Sequence, residues 1–110
     1  MNFSQEELDQ QLVILKKQHS KVYSIEVLLD DTEENKCTIF LKHPERQVYS
    51  QVSKYLGGSD PLKASEIFIK STYIGGDDVS LILSNDYALR SLDSSIAEIM
   101  YVKQSSLKKN

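Results

Sequence analysis

The sequence predicts an α+β domain, and three observations support this prediction. A pattern with helical period opens the chain, two runs with the alternation of β-strands follow it, and apolar residues spaced by three and four return in the second half. We therefore expect an N-terminal helix, a two-stranded antiparallel β-hairpin, and about three helices packed against that hairpin.

Capping signals predict that the first helix runs from Gln5 to about Gln18. Ser4 and Glu7 have the spacing of a capping box, in which the side chain of each residue accepts a hydrogen bond from the backbone N–H of the other. The apolar face of this helix consists of Leu8, Leu12 and Leu15. That face could belong to the core or dock on a partner, and the sequence leaves both roles open.

Residues 22–29 and 37–41 are rich in β-branched and aromatic residues, which favour strands. The polar segment D-D-T-E-E-N between them fits a hairpin connection. Its acidic residues Asp30, Asp31, Glu33 and Glu34 could bind calcium, but the segment lacks the glycine and the terminal glutamate of a helix-loop-helix calcium site. A solvated loop is the preferred interpretation.

Two helices that begin at prolines are predicted next. Pro44 is expected at the first position of one helix, which Gly57 and Gly58 would end. Asp60 is expected to cap the following helix, with Pro61 at its first position. The inward-facing residues would be Val48, Val52, Tyr55 and Leu56 in the first helix, and Ala64, Ile67, Phe68 and Ser71 in the second.

Gly75, Gly76, Asp77 and Asp78 form a corner, after which 79–83 is an apolar run of undetermined structure. Ser84 or Asn85 would then cap a last helix, along which apolar residues recur at helical spacing: Tyr87, Ala88, Leu92, Ile96, Ile99 and Met100. The segment 103–110 is a polar tail, expected to be flexible. Residues 1–102 are expected to form a single domain, because two cores would each be too small to be stable.

Composition argues against several functional classes. The net charge of -3 provides no basic field for nucleic-acid binding. No run approaches the roughly 20 apolar residues that cross a membrane, and the acidic first residues do not resemble a signal peptide. A cytoplasmic protein that binds other proteins is expected.

No catalytic, cofactor-binding or metal-binding residues are predicted. Asp77 and Asp78 resemble the paired aspartates of some nucleotide-processing enzymes, but two-metal chemistry needs a further carboxylate, so a turn is preferred. Cys37 lies in a strand, where a buried and inert thiol is expected. His19 and His43 have no second ligand at suitable spacing. The tyrosines Tyr49, Tyr55, Tyr73, Tyr87 and Tyr101 suit the core margin better than an interface.

The middle of the chain resembles small tail assembly chaperone-like proteins of long-tailed bacteriophages and prophages. The similar parts are a strand end at 40–42, a P-E-R helix start at 44–46, D-P-L-K at 60–63, and an aromatic residue followed by I-G-G-D at 73–77. The resemblance spans about 36–100, and the first helix has no counterpart in it.

This resemblance implies a protein without an active site that coats the tape measure protein, or binds the tail tube protein, during tail assembly in the host cytoplasm. Such proteins often act as oligomers, so a homo-oligomer is compatible with it. The residues we expect to contact the partner are Leu8, Leu12, Leu15, Ile96 and Ile99. The alternative is a small structural or adaptor protein, such as a head-tail connector or regulatory subunit, that stays in its complex.

Overall fold

A computed structural model describes residues 3–55 and 60–100. The elements, in chain order, are α1 (Gln5–Gln18), β1 (Val22–Leu28), β2 (Lys36–Lys42), α2 (Arg46–Ser53), α3 (Pro61–Thr72), β3 (Tyr73–Gly76), α4 (Ser80–Leu83), α5 (Asp86–Ser91) and α6 (Asp93–Met100). The predicted α+β class, the N-terminal helix, the hairpin and the helical second half are confirmed.

The capping box at the start of α1 is present. The backbone N–H of Glu7 donates to Ser4 Oγ at 3.2 Å, and the backbone N–H of Ser4 donates to Glu7 Oε1 at 2.9 Å. The Ser4 backbone N–H, helped by the Ser4 hydroxyl, holds the pKa of Glu7 below its usual value. These bonds fix the point at which α1 begins.

The sheet has three strands in the order β1-β2-β3, so the prediction of a two-stranded sheet was incomplete. β1 pairs antiparallel to β2 in unbroken register, from Val22 opposite Lys42 to Leu28 opposite Lys36. β3 pairs antiparallel to the other side of β2. Its two glycines do not favour a strand, so the sequence gives little sign of β3. They do permit β3 to approach β2 closely, because a Cβ on Gly76 would lie 2.6 Å from the carbonyl oxygen of Thr38.

Both faces of the sheet are covered, which gives the fold three layers. The helices of the second half pack on one face, together with β-strand residues Val27, Cys37, Ile39 and Leu41. Phe40 points to the other face and is also buried, beneath α1, which packs across β3 and β1. Because successive strand residues point to opposite faces, β2 has a continuous run of buried side chains instead of an alternating one.

The helix after β2 begins later than predicted, since Pro44 is not its first residue. The carbonyl of Glu45 accepts from the N–H groups of Val48 and Tyr49 at 2.9 and 3.1 Å, which makes Glu45 the N-cap and leaves Pro44 before the helix. The expectations for α3 are confirmed: Asp60 Oδ1 accepts from the N–H of Lys63 at 3.1 Å, and Pro61 is the first helical residue.

Inward-facing residues of the middle helices lie largely as predicted. Val52, Ala64 and Phe68 are fully buried, while Val48, Tyr55 and Ile67 are half-buried against the same core. Ser71 is half-buried, and the adjacent Thr72 is buried instead, with its hydroxyl donating to the carbonyl of Phe68 at 2.7 Å. Leu56, Gly57, Gly58, Tyr101 and the tail 103–110 lie outside the described residues.

The last predicted helix is divided into α5 and α6. Asn85, and not Ser84, caps α5, because Asn85 Oδ1 accepts from the N–H groups of Tyr87 and Ala88 at 2.9 and 3.3 Å. Leu92 stands between the two helices and is buried. Among the helices of 3–55 and 60–100, none combines the length and apolar character required to cross a membrane.

Candidate protein-interaction groove

β1 lies at one edge of the sheet, and its register shows which backbone groups face outward. The N–H of Leu29 donates to the carbonyl of Asn35 at 2.8 Å, so the odd-numbered residues of β1 bond to β2. On β2, the N–H of Thr38 donates to the Asp77 carboxylate and the carbonyl of Thr38 accepts from the N–H of Asp77, on the side of β2 away from β1. The even-numbered residues of β2 thus face β3, which agrees with the odd-numbered residues facing β1. The even-numbered residues of β1 therefore direct their N–H and C=O groups away from the sheet.

Within the described residues, side chains of the second half lie against one end of this edge. The Ser91 hydroxyl, which donates to the carbonyl of Ala88 at 2.8 Å, lies 3.4 Å from the carbonyl of Leu28, and Asn85 Nδ2 donates to the carbonyl of Leu29 at 2.8 Å. The outward backbone groups of Val22, Ser24 and Glu26 have no hydrogen-bond partner within residues 3–55 and 60–100. We call these three residues the free edge, since unpaired strand groups of this kind can accept another strand.

A groove of about 670 Å³ runs beside the free edge, and we call it the β1 groove. β1 contributes Tyr23, Ser24, Ile25 and Glu26 to its lining, and α6 contributes Ser95, Glu98 and Ile99. Lys21, His43 and Tyr49 complete it. The groove thus places apolar and aromatic surface and charges of both signs beside unpaired backbone groups.

His43 joins two tyrosines of the β1 groove. The hydroxyl of Tyr23 lies 2.9 Å from His43 Nδ1, and the hydroxyl of Tyr49 lies 3.4 Å from His43 Nε2. A neutral imidazole donates a hydrogen bond from one ring nitrogen and accepts one at the other. In that form one tyrosine hydroxyl donates to His43, and the other accepts from His43 and can donate to a further group. Lys21 Nζ lies 5.3 Å from the centre of the Tyr23 ring, within range of a cation–π contact.

This arrangement is suited to binding an extended polypeptide. A strand added beside β1 would pair with the free edge, while its alternate side chains would enter the groove between β1 and α6. Main-chain hydrogen bonds would supply affinity, and the tyrosine hydroxyls, Lys21 and Glu98 would influence which side chains fit.

The residues predicted to contact a partner lie on two different sides of the sheet. Leu8 is 5% exposed, and Leu12 and Leu15 are half-buried in the layer formed by α1. Ile96 is fully buried in the helical core, and Ile99 alone of the five lines the β1 groove. While the chain keeps this fold, Leu8 and Ile96 are covered by its own residues. The exposed apolar side chains of α1 are Val13 and Ile14, at 56% and 55%.

The two aspartates of the Gly-Gly-Asp-Asp corner differ in their surroundings. Asp77 is 2% exposed, and its carboxylate oxygens accept from the backbone N–H groups of Phe3 and Thr38 at 2.7 and 2.8 Å. Asp78 is exposed, and its Oδ1 accepts from the N–H of Ser80 at 3.0 Å, which lowers its pKa. Both carboxylates therefore hold backbone amides, as expected of a turn, although those bound by Asp77 are distant in sequence.

Asp77 also influences two ionisable side chains beside it. Burial, and then the charge of Asp77, raise the pKa of the Cys37 thiol to about 11. Burial raises the pKa of Tyr73 as well, with smaller contributions from Asp78, Asp77 and Cys37. The Tyr73 hydroxyl donates to the carbonyl of Asp77 at 2.9 Å. Since a thiol reacts as the thiolate, Cys37 is protected from reaction at neutral pH.

The acidic hairpin loop has a structural role within the chain. Asp30 accepts from the N–H of Thr32 at 2.9 Å and from Asn35 Nδ2 at 2.6 Å, and these bonds lower its pKa, with the Asn35 contribution the largest. Within the part of the chain that the structure describes, no group of three or more His, Cys, Asp or Glu residues could hold a metal ion.

Sequence reasoning did not identify the β1 groove. Tyr23, His43 and Tyr49 belong to three separate segments, and only the β1-β2 register and the position of α2 bring them together. The alternation of residues 22–29 revealed a strand, but it gave no indication that this strand lies at an edge. Tyr49, Tyr55 and Tyr73 lie half-buried at the core margin as expected, whereas Tyr87 is 42% exposed.

Comparison with known proteins finds no matching family model, no matching curated protein and no matching solved structure.

Proposed function

We propose that this protein is a non-enzymatic tail assembly chaperone, which binds the tape measure protein or another tail component while the tail is built. The observation that carries the proposal is the free edge of β1 beside the β1 groove, because a chaperone of this kind must hold another polypeptide. The resemblance of residues 36–100 to tail assembly chaperone-like proteins supplies the class of partner.

The physical mechanism would be reversible binding of an extended segment of the partner. A protein that binds an unassembled chain lowers the concentration of the free chain and so reduces its aggregation. Pairing with the free edge uses main-chain groups, which every polypeptide has, so many sequences could bind. The charges and hydroxyls of the β1 groove would then favour some segments over others. A binding mode of this kind needs no catalytic residue, cofactor or metal.

A pair of substitutions on α6 tests whether the β1 groove binds the partner. Ser95 lines the groove and Ser94 is an exposed neighbour on the same helix that does not. Ser95→Arg should fill the groove and abolish co-purification with co-expressed tape measure or tail tube protein, while Ser94→Arg should leave co-purification unchanged. If neither partner co-purifies with the unaltered protein, or if both variants bind equally, the proposal is wrong.

Analysis of finished particles separates the chaperone from the alternative function. Mass spectrometry of purified mature particles should detect no copies of this protein if it acts transiently. Stoichiometric copies in those particles would instead establish a structural or adaptor protein.

A further inference from the structure

We propose that the free edge of β1 pairs antiparallel with the free edge of a second copy of this chain, which joins the two sheets into one across a two-fold axis at Ser24. The dimer would occupy the same free edge as the partner segment proposed above, so the two exclude each other, and the dimer is the state of the purified protein without its partner. The inference does not depend on the identity of that partner.

The hydrogen-bonding groups of the free edge are complementary to themselves. Val22, Ser24 and Glu26 are symmetrically placed about Ser24, and their outward groups lack partners among the described residues. Antiparallel pairing centred on Ser24 puts Ser24 opposite its counterpart and Val22 opposite Glu26 of the second copy. Each of these positions is then a hydrogen-bonded pair, so all the unpaired groups of the free edge are satisfied.

The side chains fit the same register. In this pairing Tyr23 lies opposite Ile25 of the second copy, and aromatic and β-branched residues form favourable cross-strand pairs. Antiparallel pairing also keeps the two Glu26 side chains apart, whereas a parallel in-register pair would place them side by side.

The covered half of the edge selects this register. The Ser91 hydroxyl lies 3.4 Å from the carbonyl of Leu28, and α5 packs against β1 there. A register displaced towards Leu28 would have to break that contact and would leave Val22 unpaired. Centring on Ser24 uses the uncovered residues and no others.

Disulfide trapping tests the register directly. Paired Cα atoms at a hydrogen-bonded position lie about 5.5 Å apart, within the range that a disulfide spans. The Ser24→Cys variant of the full chain should therefore oxidise to a covalent dimer. In the matched control Glu26→Cys, the two cysteines would be four residues apart along the strands, about 13 Å, and should not cross-link. The native Cys37 is buried and does not interfere.

Sedimentation velocity of the unaltered protein should show a concentration-dependent species of twice the chain mass of 12.5 kDa. Ser24→Pro removes an outward N–H without removing a bond to β2, so it should weaken dimerisation by about tenfold or more, whereas Ser24→Ala should not. Circular dichroism tests whether each variant is folded. If Ser24→Pro unfolds the chain, Val22→Glu should weaken the dimer, because it places a carboxylate opposite Glu26 of the second copy, whereas Val22→Lys should not.

Three results would overturn the proposal. They are a monomer at every concentration, equal cross-linking of the Ser24→Cys and Glu26→Cys variants, and a dimer that none of the β1 substitutions weakens. A failure to bind tail proteins would leave dimerisation unaffected, so the two proposals can fail separately.

Discussion

Asp77 and Thr38 are joined by two hydrogen bonds, although they lie 39 positions apart in the sequence. The N–H of Thr38 donates to Asp77 Oδ2 at 2.8 Å, and the N–H of Asp77 donates to the carbonyl of Thr38 at the same distance. The other carboxylate oxygen accepts from the N–H of Phe3. One buried residue thus connects β2, the end of β3 and the segment before α1.

The first prediction concerns this residue. Asp77→Asn replaces one accepting oxygen with an amide group that faces a backbone N–H, so it should destabilise the fold by about 1–3 kcal/mol. Asp78→Asn, at the exposed neighbouring position, should have a much smaller effect. Urea unfolding of both variants measures the difference. Equal stabilities would show that the bonds to Phe3 and Thr38 contribute little.

The second prediction concerns the close approach of β3 to β2. Gly76 has a φ of +97°, and an added Cβ would meet the Thr38 oxygen at 2.6 Å and the Ile39 Cα at 2.8 Å. Gly76→Ala should therefore cost more than about 1 kcal/mol, because both the conformation and the space are unsuitable. Gly75→Ala should cost less, since the nearest atoms belong to the side chains of Leu15 and Gln11, which can move. Thermal unfolding should rank the two variants in this order, and the reverse order would contradict the β2-β3 geometry.

The third prediction tests which face of α1 is used within the chain. Leu8→Ala removes a side chain that is 5% exposed and should destabilise the protein by about 2–4 kcal/mol. Val13→Ala changes a side chain that is 56% exposed and should alter stability by less than about 0.5 kcal/mol. Chemical denaturation of both variants provides the measurement. A Leu8→Ala variant as stable as the unaltered protein would mean that α1 does not pack on the sheet in solution.

The fourth prediction concerns alkaline pH. The pKa of Cys37 is raised from 9.0 to about 11 in the folded chain, so between these values the unfolded chain loses the thiol proton first. Below about pH 9 the thiol is neutral in both states, so its ionisation does not affect stability there. As pH rises from about 9 to about 11, the free energy of unfolding should fall by up to about 2 kcal/mol. The raised pKa of Tyr73 acts in the same direction at higher pH.

The Cys37→Ala variant isolates the contribution of the thiol. Its stability should fall less steeply than that of the unaltered protein when urea unfolding is compared at about pH 8 and about pH 10. Identical slopes would mean that ionisation of Cys37 differs little between the folded and unfolded states.

Local signals predicted the elements whose ends are determined by neighbouring residues. The Ser4 and Glu7 capping box, the Asp60 cap and the alternation of 22–29 each depend on residues close in sequence, and each was predicted correctly. Pro44 shows the limit of such reasoning. Its missing N–H suits the first helical position, but the residue after it became the cap.

The third strand and the β1 groove depend on contacts between distant residues. Tyr73–Gly76 is short and ends in two glycines, so its own preferences do not favour a strand. It forms one because β2 and the Asp77 bonds hold it in place. The five residues predicted to contact a partner were selected by apolar spacing, which identifies a helix face but does not show whether the same chain covers that face.

The packing of α5 against the end of β1 has a consequence for how this molecule can assemble. Within the described residues, it limits the accepting part of β1 to Val22, Ser24 and Glu26, and at the opposite margin of the sheet the N–H of Gly76 in the short β3 already donates to Gln11 Oε1 of α1. A sheet with one short accepting stretch can pair with one further strand. The fold thus favours closed complexes of defined size over the unlimited stacking that leads to fibrils.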